Sequence, residues 1–242
     1  MNIAIILAGG IGSRVGADIP KQFILVFGKP VLVYTIEKFQ NNKNIDAIEV
    51  VCLESYLSVV EEYRKQYNLS KIKWITEGGS TFSQSVMNGV NNLKGKLSDD
   101  DIVVIHFGAS PFVENDIIDD CIKVCKEKGN AISTIPFYYL STFRDENEPN
   151  VMAGKWVSRD VLACMNSPHA FRLGYIYDIY KRGVENGDIY KVEPHTTSLM
   201  QFMGEKIYFS KGSQTNIKIT TKEDLDLFKG YILLKNFDKH HL

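Results

Sequence analysis

Two rhythms of apolar residues alternate along this chain. Short continuous runs such as Ile3-Ala4-Ile5-Ile6-Leu7 have the character of strands buried on both faces, whereas segments with apolar residues three and four apart have the character of amphipathic helices. The pattern predicts strands at 3–7, 47–53, 72–76, 101–106 and 131–136, interleaved with helices at 31–39, 57–67, 83–93 and 114–128. Such a succession is that of βαβ units, so the expected fold is α/β: a three-layer sandwich with a mostly parallel sheet covered by helices on both faces. Beyond residue 157 the pattern predicts a helix at 175–185, a short strand at 206–210 and a last helix at 222–234.

The stretch 137–157 breaks the rhythm. It is polar and turn-rich around Arg144-Asp145-Glu146-Asn147-Glu148-Pro149-Asn150 and carries aromatic residues at both ends, which predicts an extended β-hairpin arm. Exposed aromatics on an arm call for a partner surface, and a homodimer is expected. There is no internal repeat, low-complexity tract or linker, so a single domain is expected over 1–242.

The chemistry is announced where the first strand ends. Leu7-Ala8-Gly9-Gly10-Ile11-Gly12-Ser13-Arg14-Val15-Gly16 is followed by Pro20-Lys21-Gln22. Glycines allow φ > 0 and let backbone N–H groups close around an anion, while Arg14 and Lys21 add two cations, a combination that fits a polyphosphate. A Walker loop would need Gly-Lys-Ser/Thr, which does not occur here. A dinucleotide loop would need a third glycine where Val15 stands. Glu54 after the second strand keeps a nicotinamide-dependent dehydrogenase as a rival, although it lies about twice as far from the loop as the ribose-binding rule of roughly 20 residues expects.

Charge narrows the partners. With 28 Lys and Arg against 29 Asp and Glu, the formal net charge is −1, so no global field draws nucleic acid or anionic lipid to the chain and phosphate binding must be local. No apolar run approaches the ~20 residues of a membrane span, and the first strand lacks a cationic leader, so a cytoplasmic protein is expected. Cys52, Cys121, Cys125 and Cys164 form no zinc-type or redox pair; Cys121 and Cys125, four apart on a helix, are expected to share a buried face.

In open α/β sheets ligands bind at the carboxyl ends of the strands. The loops at 8–21, 78–85, 106–111 and 216–221 fall there. Gly78-Gly79-Ser80 with Ser85 offers a tight backbone approach and hydroxyls suited to the edge of a base, or equally an ordinary helix cap at Ser80, Thr81 or Ser83. Before the last helix, Thr220 or Thr221 precedes an acidic residue by three, as in a capping box, whereas Lys218 has no capping role and is the better functional candidate.

Together these motifs resemble the nucleotidyltransferases that make CDP-alcohols, the methylerythritol-phosphate and ribitol-phosphate cytidylyltransferases. The resemblance rests on L-A-G-G-x-G-S-R-x-G…P-K-Q-F, on Gly78-Gly79-Ser80-Thr81 to Ser85-Val86, on Ile105-His106 to Pro111-Phe112, on Ser167-Pro168-His169-Ala170-Phe171 and on Asn216-Ile217-Lys218-Ile219-Thr220-Thr221. It implies a Rossmann-like fold with a dimerisation arm, CTP and Mg²⁺ as substrates, the Mg²⁺ arriving with CTP, and attack of an alcohol phosphate on the α-phosphorus. It further implies Arg14, Lys21 and Lys218 as catalytic cations, and Leu7, Ala8, Gly9, Gly10, Gly12, Gly79, Ser80 and Ser85 as nucleotide-binding positions. Arg159 resembles the arginine that reaches the neighbouring subunit's acceptor phosphate.

The resemblance fails in three places. The usual His-Asp-x-x-Arg-Pro reads His106-Phe107-Gly108-Ala109-Ser110-Pro111; a usual Thr-Asp-Asp reads Pro194-His195-Thr196-Thr197-Ser198; and a basic position is occupied by Phe82. These losses leave open a rebuilt acceptor pocket, with His106, His195 and Thr196 as neutral hydrogen-bonding candidates, a divergent methylerythritol-phosphate enzyme, or an inactive nucleotide-binding interaction subunit. Arg14, Lys21 and Lys218 argue against the last. The favoured acceptor is a polyol phosphate such as ribitol 5-phosphate; His106 has an equal claim to be a core residue. No His/Cys cluster forms a zinc site.

Overall fold

A computed structural model of the chain describes residues 1–10 and 19–241. Its centre is a seven-stranded sheet. Strands β1 (Asn2–Ala8), β4 (Ala47–Cys52), β5 (Ile72–Glu77), β6 (Ile102–Phe107), β7 (Asn130–Pro136), β10 (Ala163–Arg172) and β11 (Phe209–Lys211) are arranged in the order β11-β7-β10-β6-β1-β4-β5. All neighbouring pairs are parallel except those that β10 makes with β6 and β7. The expected α/β sandwich with a mostly parallel sheet is the fold observed.

Helices cover both faces because the central strands are apolar on both. Along β1, Ala4, Ile6 and Ala8 pack with Leu32, Ile36 and Phe39 of α1 (Val31–Gln40), Val60 of α2 (Leu57–Gln66) and Cys121 and Cys125 of α4 (Asn115–Lys128). The alternate residues Ile3, Ile5 and Leu7 pack with Val86 and Val90 of α3 (Phe82–Leu93), Ile176 and Ile179 of α5 (Leu173–Glu185) and Leu199 of α6 (Thr196–Phe202). The period of two along the strand therefore sorts its side chains into two cores. The last helix, α7 (Lys222–His241), seats Leu225 and Phe228 against Val26, Val31 and Phe112 in a third cluster. Val26 belongs to the short hairpin of β2 (Leu25–Val26) and β3 (Lys29–Pro30) that leads into α1. Burial pushes the thiols of Cys121 and Cys125 up to about 12, as befits inert core residues.

Besides the short β2–β3 hairpin, two longer elements go beyond the sequence pattern. Strand β10 occupies a segment with no strand expectation, and α6 is a seven-residue helix where none was expected. Proline is admitted to the middle of a sheet only at an irregularity, and β10 supplies one: Met165 pairs with Thr134 but His169 with Ile132, so Asn166-Ser167-Pro168 bulges out of register. The arm is a two-stranded antiparallel hairpin of β8 (Thr142–Arg144) and β9 (Met152–Trp156), within the expected 137–157. Tyr139, Leu140 and Trp156 are largely exposed on it.

Candidate active site

A cleft of about 460 Å³ opens where β1, β4, β5 and β6 end. Its wall includes Leu7, Gly9, Gly10, Lys21, Gly79, Ser80, Ser85 and Lys218, so eight of the positions expected from sequence converge there. Arg14 and Gly12 lie outside the described residues. Ala8 contributes its carbonyl just beneath the wall, as an acceptor for Gln22.

Gln22 is the residue that sequence reasoning passed over. Its buried side-chain amide donates from Nε2 to the carbonyls of Ala8 at 2.6 Å and Gly10 at 2.9 Å. Both carbonyls are thereby turned inward, and the loop is tied to the short 3₁₀ turn that carries Lys21. Its signal in the sequence is its place after Lys21 in the P-K-Q-F motif.

On the opposite wall, Thr81 caps α3 by accepting from the Gln84 amide at 3.1 Å, which settles which of the three candidates is the cap. Ser85 Oγ accepts from the Gly79 N–H at 3.1 Å, and the Ser80 N–H and hydroxyl both donate to Gln84 Oε1. Gly79 is required by closeness: a Cβ there would stand 2.2 Å from that of Gln84. The two serines hold the loop and line the cleft at the same time.

Lys218 is fixed by its neighbours in the chain. Asn216, fully buried, donates to the Ser167 carbonyl at 2.5 Å, and its own carbonyl accepts from Asn166 at 2.6 Å. Ile219, also buried, donates its N–H to the Ala109 carbonyl at 2.8 Å. Immediately downstream, Asp224 accepts from the Thr220 and Thr221 N–H groups while Thr221 Oγ1 accepts from the Asp224 N–H, a capping box built on Thr221. The side chain of Lys218 lies over the ring of Phe107, Nζ 3.7 Å from its centroid. Phe107 in turn meets Phe82 at 5.5 Å, and Phe82 meets His195 at 4.9 Å.

The proposed acceptor residues do not gather. His106 is sealed in the core: its Nε2–H donates to the Ser110 carbonyl at 2.9 Å, its ring packs on Phe39, and burial holds its pKa down at about 4. Thr196 is equally buried, sharing a hydrogen bond with the Tyr180 hydroxyl at 2.7 Å. His195 reaches the rim of the cleft through Phe82. Arg159 sits exposed at the root of the arm and donates to the Tyr138 carbonyl at 3.2 Å, away from the cleft of its own chain. Ser110, where the resemblance leads one to expect arginine, is wholly buried.

Among the described residues no carboxylate lines the cleft, and no cluster of His, Cys, Asp or Glu could hold a metal ion. Oxygen donors on the described wall include the hydroxyls of Ser80, Thr81, Ser85 and Thr220, the side-chain amide of Gln22 and main-chain carbonyls. Such donors suit a Mg²⁺ ion that keeps water and substrate phosphates as its ligands. No helix among the described residues is long and apolar enough to cross a membrane.

The chain has relatives among known proteins. The family model for 2-C-methyl-D-erythritol 4-phosphate cytidylyltransferase matches residues 2–233. A ribitol-5-phosphate cytidylyltransferase of Lacticaseibacillus paracasei is 37% identical over 232 residues, 96% of this chain and 98% of the relative. A 2-C-methyl-D-erythritol 4-phosphate cytidylyltransferase of Clostridium acetobutylicum is 38% identical over 226 residues, covering 93% and 94%. The crystal structure of 4-diphosphocytidyl-2C-methyl-D-erythritol synthase from Anaerococcus prevotii superposes with a TM-score of 0.80 over 96% of both chains at 24% identity, a likeness of fold. The cleft therefore sits in a chain that belongs to the 2-C-methyl-D-erythritol 4-phosphate cytidylyltransferase family, whose members are nucleotidyltransferases.

Proposed function

We propose that this cytidylyltransferase transfers CMP from CTP to ribitol 5-phosphate, or a closely similar polyol phosphate, and releases pyrophosphate. The observation that carries the reading is the cleft itself, whose wall brings Gly9, Gly10 and Gly79 together with two lysines, Lys21 and Lys218. That is a receptacle for a polyanion.

A phosphate monoester has a second pKa near ~6, so its oxygen is largely a dianion at neutral pH and needs no general base. One of its oxygens forms a bond to the α-phosphorus of CTP as the bond from that phosphorus to the bridging oxygen breaks, and the electron pair leaves with pyrophosphate. Lys21 and Lys218 lower the cost of bringing the two anions together and of the charge that builds up on the way. The Gly79 to Ser85 wall holds the cytosine end. Mg²⁺, arriving on the triphosphate, would supply further charge neutralisation; Ser80, Thr81 and Thr220 are the side chains placed to offer it oxygen.

Ribitol 5-phosphate is favoured by the near-complete overlap with the Lacticaseibacillus enzyme. Methylerythritol 4-phosphate is the alternative, supported by the 38% identity to the clostridial enzyme, against 37% to the Lacticaseibacillus one. The exposed aromatics of the arm support a homodimer in which Arg159 serves the partner's cleft. CTP is a nucleotide of the cell interior, which supports a reaction in the cytoplasm.

The test is pyrophosphate release from CTP and Mg²⁺ with ribitol 5-phosphate, methylerythritol 4-phosphate, glycerol 3-phosphate and phosphocholine offered in turn. Turnover with ribitol 5-phosphate at least tenfold above the others is expected. Preference for methylerythritol 4-phosphate would overturn the choice of acceptor, and silence with all four would overturn the reading.

A further inference from the structure

We infer that Phe107 is a positioning residue for Lys218: its ring, buttressed by Phe82, helps to hold the ammonium group where the triphosphate binds. The inference rests on the proposed function for what the cleft binds, and on geometry for the rest.

Three observations carry it. Nζ of Lys218 stands 3.7 Å from the Phe107 centroid, well inside the ~6 Å within which a ring face attracts a cation. The two residues are also joined through the backbone, because the Ile219 N–H donates to the carbonyl of Ala109, two residues beyond Phe107. The ring itself is braced, with Phe82 packed at 5.5 Å and an interplanar angle of 51°, and His195 behind Phe82 at 4.9 Å. Phe107 and Phe82 both line the cleft, so the cation lies on an aromatic wall inside the site.

The physical difference between a ring and a carboxylate at this place is large. A carboxylate orients an ammonium group by cancelling its charge, whereas the quadrupole of a ring attracts it without adding a negative charge to the site. It also takes no proton at any working pH.

A double-substitution cycle separates this from a plain role in cleft shape. Dissociation constants for CTP and for inorganic tripolyphosphate are measured by calorimetry in the wild type, Phe107→Leu, Lys218→Ala and the double variant, with the folding of each checked by circular dichroism. If the ring acts through the lysine, Phe107→Leu weakens binding by roughly 2- to 30-fold in the wild-type background. It then has no further effect once Lys218 is alanine, and Phe107→Tyr recovers most of what leucine loses. Equal weakening in both backgrounds, or none in either, would overturn the proposal. Should Phe107→Leu fail to fold, Phe107→Met fills the volume without a ring and reads the same cycle. Because binding of tripolyphosphate requires no acceptor, the cycle still decides the role of Phe107 if the panel of acceptors shows no turnover.

Discussion

Lys218 and Phe107 are 111 positions apart in sequence, yet the lysine's Nζ rests 3.7 Å from the centre of the phenylalanine ring. One lies at the end of a central strand, the other in the turn before the last helix, and the hydrogen bond from Ile219 to Ala109 closes the gap between them. The contact is thus a product of topology, with the end of β6 serving as the shelf on which the C-terminal turn is laid.

The two lysines should dominate the rate. Removing a single preorganised electrostatic stabiliser typically costs about 10²–10³ in turnover. Lys21→Ala, at a residue that is mostly buried, is expected to lower kcat by at least that factor in the pyrophosphate-release assay. Near-normal turnover in the folded variant would remove Lys21 from the mechanism.

Gln22 should matter for nucleotide affinity although it does no chemistry. Gln22→Leu keeps the approximate volume and deprives the Ala8 and Gly10 carbonyls of their donor. Leaving buried groups unpaired costs about 1–3 kcal/mol. The expected outcome is a CTP dissociation constant raised by roughly tenfold or more, with the loop rather than the lysine at fault; an unchanged constant by calorimetry would show that the clamp has no bearing on the site.

Stability should depend on pH through buried groups that do not line the cleft. Glu49 is buried in β4, accepting from Thr76 at 2.6 Å and Asn92 at 2.7 Å, and desolvation raises its pKa from 4.5 to about 7. Below pH 4.5 the group is protonated in both the folded and the unfolded chain and has no effect. Between there and about 7 the unfolded chain ionises first, so stability is lost as pH rises, by roughly 3 kcal/mol for a shift of this size. His106 and His169 work in the opposite sense: both are depressed from 6.5 to about 4 by burial, so the stability they contribute is present above 6.5 and is lost as pH falls toward 4. Glu49→Gln should therefore gain on the wild type in urea unfolding between pH 5 and pH 8, by about 2–3 kcal/mol. The same difference at both pH values would mean that the carboxyl is not perturbed.

The homodimer proposal predicts complementation. If Arg159 serves the partner's cleft, mixing Arg159→Ala subunits with Lys21→Ala subunits should recover up to about a quarter of wild-type activity, since statistical exchange makes half the dimers mixed and one of their two clefts intact. Sedimentation as a monomer at micromolar concentration, or no recovery after proven subunit exchange, would refute it.

The sheet was legible in the sequence because its parallel strands are apolar on both faces and its helices keep their period. Strand β10 was not, because its middle is Asn166-Ser167-Pro168, polar and proline-bearing, and only the bulge makes that sequence compatible with a central position. Helix α6 is too short to show a period, and it opens after His195, whose side chain provides no cap. At the site, the loops could be read because glycines and lysines mark the strand ends. The burial of His106 and Thr196 could not, since a polar residue at a strand end or a helix start looks the same in sequence whether it faces a cleft or a core. Nor could the contact of Phe107 with Lys218, which exists only once distant loops meet.

The bulged strand ties together two regions that otherwise look separate. Ala163, at its start, is paired with Pro136 at the root of the arm, while Asn166 and Ser167, a few residues on, bond Asn216 and so brace the turn that holds Lys218. Tension applied to the arm would run down one uninterrupted length of backbone to the bonds that brace that turn. Insertions or deletions along this path would shift the register of the whole bulge, so the spacing between arm and lysine turn is one dimension of the molecule that cannot drift freely.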